Sequence, residues 1–175
     1  KASKLNKQRE EYGWKSDILG IVADNPNKLR GERVDLLLFE EAGSNPVLLK
    51  TYIQSNALVE ILGNKFGTRL IWGTGGDAGA ALAGLSKVFY NPKGYNVLPF
   101  KHNYSKTGEL VETSYFIPAF TFVAGEGYID KRGVTDTKKA KEYYNSKKNA
   151  LAENPKEYIM FCAEYCFTPE DALAL

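Results

Sequence analysis

The sequence predicts an α/β fold carried on a mostly parallel sheet, and three observations point there. Val34 to Phe39 is an apolar run broken only by Asp35, and Thr68 to Trp72 is a second short run bounded by punctuation. The first runs into EEAGSNP and the second into GTGGD, and both turns open a stretch with helical spacing. Buried strands read as short apolar runs between turn residues, and repeated strand, turn and helix units build parallel sheets whose strand ends lie on one side.

In chain order, Lys1 to Glu11 reads as the tail of a helix, polar nearly all round, closed by Gly13 and without a cap, which suggests a portion of something longer. Asp17 to Val22 reads as a short strand, and Ala23 to Glu32 as a loop punctuated by Asn25-Pro26 and Arg30-Gly31. After the Val34 to Phe39 strand, Ser44 or Asn45 can cap a helix with Pro46 at its first position. Its apolar stripe runs through Leu48, Leu49, Tyr52, Ile53, Ala57 or Val59 and Leu62, and Gly63 stops it. Beyond Thr68 to Trp72, Asp77 can cap a helix from Ala78 to about Phe89, small enough in its Ala and Gly content to pack closely on the sheet.

After Asn91-Pro92 the pattern changes. Tyr95 to Phe100 and Tyr115 to Phe122 carry Pro99 and Pro118 inside them, which argues for edge or irregular strands, with His102 in a polar loop and facing solvent. Asp136 to Leu151 reads as an amphipathic helix, and Tyr158 to Ala163 as a short apolar segment. Thr168-Pro169-Glu170-Asp171 supplies a cap, a first-position proline and an acid three residues after the cap, so another helix starts there and continues to Leu175. The expected division is residues 1–92 as core and 93–175 as a smaller, irregular region.

At 175 residues and 43% hydrophobic content the chain fits one ordinary globular unit, and a net charge of +2 decides little about partners. Basic residues concentrate between Lys1 and Lys15 and between Asp130 and Glu157, where either phosphate contact or solvated helix faces would explain them. Cys162 and Cys166 with the single histidine provide too few ligands for a zinc site, so buried free thiols in a reducing compartment are expected. No apolar run approaches membrane-spanning length and no signal peptide opens the chain, so a soluble cytoplasmic protein is expected.

The chemistry concentrates at Glu40 and Glu41. At the carboxyl end of a strand, one carboxylate can hold a water of Mg²⁺ while its neighbour orients or deprotonates the water that attacks a γ-phosphate. A strand that merely ends in a charged turn is the plainer alternative. GTGGD is not a P-loop, because no lysine and hydroxyl follow its glycines, and no GxxxxGK[ST] occurs anywhere in the chain. Its glycines allow a sharp turn and close backbone approach, and Thr74 offers a hydroxyl, for a structural turn or a ligand-sensing one.

The order KLRGERVD, LLLFEEAG, LIWGTGGD with NPKGY downstream, SYFIPAF and EYCFTPEDAL resembles the ATPase region of the large terminase subunit of tailed bacteriophages, from just before Walker B to the segment leading toward the nuclease domain. The resemblance covers essentially the whole chain. It implies a P-loop ATPase-type parallel sheet, truncated, with a lid and linker from about Tyr95. It further implies an ATP- and Mg²⁺-dependent motor acting on double-stranded DNA in the host cytoplasm and at the procapsid portal. Portal protein, small terminase subunit and further copies in a ring would be its partners. On that resemblance Glu40 matches the Walker B acid at the metal, Glu41 the catalytic glutamate, and Thr74 with Gly73 and Gly75 the nucleotide-sensing coupling motif. Arg30 or Arg33 could serve a neighbouring subunit as an arginine finger. The family commonly has aspartate where Glu40 stands, and without a Walker A segment these 175 residues alone should be nearly inert. The rival class is a non-catalytic α/β scaffold or protein-binding module. A sequence-reading DNA module is weaker still, since helix-turn-helix and zinc spacings are absent.

Overall fold

The computed structural model describes the chain except residues 1–3, 6–10, 13–15, 23, 30, 76–79, 124, 126 and 174–175. It begins with β1 (Lys4–Leu5) and β2 (Glu11–Tyr12), which pair antiparallel, so strand replaces the expected helix at those positions while the remainder of that reading falls outside the described residues. A 3-10 turn, Pro26–Leu29, precedes β3 (Leu36–Phe39). Next come a 3-10 turn at Ala42–Ser44, α1 (Leu48–Gln54), α2 (Asn56–Val59), the hairpin β4 (Glu60–Ile61) and β5 (Asn64–Lys65), β6 (Thr68–Ile71) and α3 (Ala80–Tyr90). The second half holds the hairpin β7 (Phe100–His102) and β8 (Val111–Thr113), then α4 (Thr137–Ala150), α5 (Pro155–Glu164) and α6 (Pro169–Leu173). None of the helices, among the described residues, is long and apolar enough to cross a membrane.

The expected P-loop-type parallel sheet is not present among the described residues. Helix accounts for 41% and strand for 14%, and among the described residues the strands form four separate two-stranded sheets of which only β3–β6 is parallel. The reasons are local. Asp17–Val22, expected as a short strand, joins no sheet among the described residues, and Ile18 is 96% exposed. Pro99 and Pro118 interrupt the other two apolar runs, and the ladder forms instead between Phe100–His102 and Val111–Thr113, flanking them. The helix expected to run to Gly63 also stops early. Ser55 Oγ donates to the Tyr52 carbonyl at 2.7 Å, competing with the helical ladder, and the chain then reverses through Leu62 and Gly63, both at positive φ, as a two-residue hairpin requires.

The parallel pair itself is the part of the expectation that forms. Leu36 stands opposite Thr68 and Phe39 opposite Ile71. Because side chains alternate across a strand, Leu37, Phe39 and Ile71 share one face, packed against Leu48, Tyr52 and Val88. Leu48 and Val88 are both 1% exposed, and each such burial contributes about 1.5–3 kcal/mol. Arg69, on that same face, lays its guanidinium 4.2 Å from the Tyr52 ring centroid and donates to the Tyr52 carbonyl at 3.0 Å. The Tyr52 hydroxyl donates to the Tyr95 carbonyl at 3.0 Å, and burial raises its pKa against the opposing pull of Arg69. On the opposite face Leu36, Leu38 and Leu70 remain about half exposed.

The helices of the second half start where local chemistry says they should. Asp136 caps α4 by accepting from the Lys139 amide at 3.1 Å. At α6 the Asp171 carboxylate accepts from the Thr168 amide at 3.1 Å while Thr168 Oγ1 accepts from the Asp171 amide at 3.3 Å, a reciprocal capping box with Asp in the usual Glu place. Rings fill the space between these elements: Phe120 meets Phe167 edge-on with centroids 5.2 Å apart, and Tyr144 stacks on Tyr165 at 5.3 Å.

Candidate functional site

The β3–β6 ladder ends with the Trp72 amide donating to the Phe39 carbonyl at 3.0 Å. Three residues beyond Phe39, the Ala42 amide donates to the Trp72 carbonyl, also at 3.0 Å. Glu40 and Glu41 occupy the gap, so both carboxylates leave the sheet at the carboxyl end of β3 and both are exposed. Glu41 turns the chain by adopting φ 50° and ψ 42°, the left-handed region that disfavours a residue with a Cβ. The turn closes with the Ser44 amide donating to the Glu41 carbonyl at 2.9 Å and buries Ala42 and Gly43 beneath it.

What presses this turn against the loop after β6 is the absence of side chains. A Cβ on Gly43 would overlap the Thr74 carbonyl oxygen, and one on Gly73 would lie 2.6 Å from the Ala42 nitrogen and 3.1 Å from the Glu41 carbonyl carbon. Backbone therefore rests on backbone, with Glu41-Ala42-Gly43 on one side and Gly73-Thr74 on the other. The two segments singled out from sequence are thus adjacent, and Thr74 is exposed beside them.

Other expected site residues fare differently. Gly76, Asp77 and Arg30 lie outside the described residues, and Arg33 is exposed. A cavity of about 930 Å³ reaches Gly73, Thr74 and Gly75, but Glu40 and Glu41 do not line it. No group of three His, Cys, Asp or Glu side chains that could cage a metal occurs among the described residues. His102, expected to face solvent, is half-buried. Its Nδ1 accepts from the Tyr104 amide at 3.2 Å, so the proton sits on Nε2, which lies 2.8 Å from Thr113 Oγ1, and the ring lies against Tyr104. Desolvation lowers its pKa, opposed by nearby Glu170. Burial pushes the Cys166 thiol up to about 11, so it stays protonated and is a poor nucleophile.

Sequence reasoning missed Arg69 and Ala172. Arg69 locks β6 to α1, and the Ala172 carbonyl oxygen packs so tightly against Gly75 that a Cβ there would overlap it. Both contacts join residues distant in the chain, for which local patterns carry no signal. Comparison with family models, curated proteins and solved structures finds no match for this chain.

Proposed function

We propose that this chain carries the water-activating side of a nucleotide-hydrolysis site and belongs to the large subunit of a phage DNA-packaging terminase. The observation that supports it is the backbone docking of the Glu41-Ala42-Gly43 turn on Gly73-Thr74, which sets two carboxylates at a strand end beside a glycine-flanked hydroxyl. On this reading ATP is the substrate, double-stranded DNA the cargo, and the portal, the small terminase subunit and further copies in a ring are the partners. The phosphate-binding loop must come from residues other than these 175, which contain no GxxxxGK[ST].

Mg²⁺ is usually held through one or two carboxylates with waters and substrate phosphates completing its shell, so an exposed carboxylate without a protein cage fits that ion. When bound, Mg²⁺ neutralises charge that develops on the phosphates. Glu40 would hold one of its waters. Glu41, held out of the sheet by its left-handed backbone, would orient the attacking water and accept its proton. Thr74 would sense the γ-phosphate, and its loop would pass the change to the turn it touches. Phosphoryl transfer is mostly positioning and electrostatic stabilisation, which such a rigid two-loop platform suits.

The test is Glu41→Gln in protein that includes a phosphate-binding loop. Turnover should fall by roughly 10² to 10⁴ while nucleotide binding and urea midpoint stay nearly unchanged, because the amide keeps the size but cannot accept a proton. Glu40→Gln should instead raise the magnesium concentration needed, with part of its defect recovered at high magnesium. Normal hydrolysis by Glu41→Gln at unchanged stability would remove the residue from this role and leave the pair as a charged turn.

A further inference from the structure

We propose that the cavity beside β6 receives an extended apolar polypeptide strand that pairs with the main chain of Arg69 and Ile71. Successive residues of a strand direct their amide and carbonyl groups to opposite edges. On β6 the edge toward β3 is in use, since the Thr68 amide donates to the Asp35 carbonyl at 2.8 Å, the Trp72 amide to the Phe39 carbonyl at 3.0 Å, and the Trp72 carbonyl accepts from Ala42. The groups of Arg69 and Ile71 therefore point the other way, where β6 has no second strand among the described residues.

The space on that side is shaped. Residues 68–75 form one wall of the cavity, and Val97–Phe100 with Ser114–Ile117 form another. Its volume of about 930 Å³ falls in the range of ligand sites. Leu98, Phe100, Tyr115 and Ile117 line it with apolar surface, yet all four are exposed, so the cavity opens to solvent.

These features together select the occupant. A small apolar molecule would fill the lining but strand the amides and carbonyls of Arg69 and Ile71 away from water, at about 1–3 kcal/mol for each unmet group. A flexible polar ligand would satisfy them but leave the apolar wall wet. An extended polypeptide offers donors and acceptors at the spacing of β6 and apolar side chains on both faces, as strand addition to a sheet edge does elsewhere. Four residues of β6 span about 13 Å, so a strand of similar length suffices. This inference goes beyond the hydrolysis reading and does not depend on it, because its readout is backbone protection and not turnover.

The experiment uses the 175-residue chain and the peptide acetyl-Lys-Val-Thr-Val-Ile-Val-Lys-amide, followed by residue-resolved hydrogen exchange. Added peptide should slow exchange of the Arg69 and Ile71 amides by about tenfold or more while leaving Thr68 and Leu70, already in the ladder, little changed. A twin peptide N-methylated at every residue keeps the side chains but has no main-chain N–H for the Arg69 and Ile71 carbonyls, and its methyl groups hold the two backbones apart, so the Arg69 and Ile71 amides cannot reach its carbonyls and should show no slowing. Leu98→Trp, which adds bulk at an exposed part of the lining, should weaken the effect without disturbing the β3–β6 amides. Equal binding of the twin would make the cavity an apolar ligand pocket and overturn strand pairing. Absence of Arg69 and Ile71 protection at peptide concentrations up to about 1 mM would overturn it as well.

Discussion

The platform at the end of β3 and the aromatic region around α4 to α6 are held together by opposite means. In the first, Gly43 and Gly73 bring main chain onto main chain, and any side chain would intrude. In the second, Phe120, Phe167, Tyr144 and Tyr165 meet ring against ring, with Lys141 over Phe120 and Lys148 over Phe167. Rings can slide and repack when one changes, whereas backbone contacts cannot. Positional accuracy therefore resides at the candidate site, and bulk cohesion resides in the aromatic region.

Substitutions sharpen that contrast. Phe120→Ala empties a buried ring site and should cost about 3–5 kcal/mol, whereas Phe120→Leu, keeping most of the volume, should cost less than about 1.5 kcal/mol. Urea midpoints of the two variants measure the gap, and equal losses would mean the rings are as exacting as the glycines. Gly43→Ala adds one methyl group yet should cost about 1–3 kcal/mol, because the Thr74 carbonyl must move. Gly20→Ala is its control: nothing lies within 4 Å of the added carbon, and the change should stay within about 0.5 kcal/mol.

Smaller effects probe what the platform holds in reserve. Glu41→Gly relieves a left-handed backbone that disfavours a Cβ, so stability should rise by up to about 1 kcal/mol while the proposed catalytic carboxylate is lost. A fall in the urea midpoint would show that the Glu41 side chain contributes to the fold. In the aromatic region the sensitive group is His102, whose folded pKa lies below its ordinary value of 6.5. Between those two values the unfolded chain binds more protons than the folded one, so stability rises with pH. The contribution is complete above about 6.5 and is lost as pH falls through the folded pKa. His102→Gln should flatten this part of the pH dependence of the urea midpoint, and an unchanged slope would place its origin elsewhere.

Much of the second half was legible because its signals are local. Asp136 and the Thr168-Pro169-Asp171 box sit within one turn of the helices they start, and the structure begins α4 and α6 beside them. The strands at Leu36–Phe39 and Thr68–Ile71 were also legible as apolar runs between turn residues. Sheet extent was not. Pairing is a property of two segments, and Asp17–Val22 has strand composition yet stands in no ladder among the described residues. Adjacency of the carboxylate turn and the Thr74 loop could be anticipated from strand order. The left-handed backbone of Glu41 and the glycine contacts could not, because they depend on how closely two distant turns approach.

The tight fit of Gly75 against the Ala172 carbonyl makes the loop and α6 a thrust bearing. A close-packed contact resists compression, so movement of the loop toward α6 must displace the helix. The displacement does not end there. Asp171 holds the Phe167 and Thr168 amides, at 3.2 and 3.1 Å, and faces Lys106 in the β7–β8 connection at 3.6 Å. A shift of Thr74 and Gly75 would thus reach Lys106 in the β7–β8 connection through Asp171, and would register ahead of α6 as a change in how firmly the Phe167 and Thr168 amides are held. Hydrogen exchange at Phe167 and Thr168 would report it, and unchanged exchange there during loop movement would show that the bearing slips.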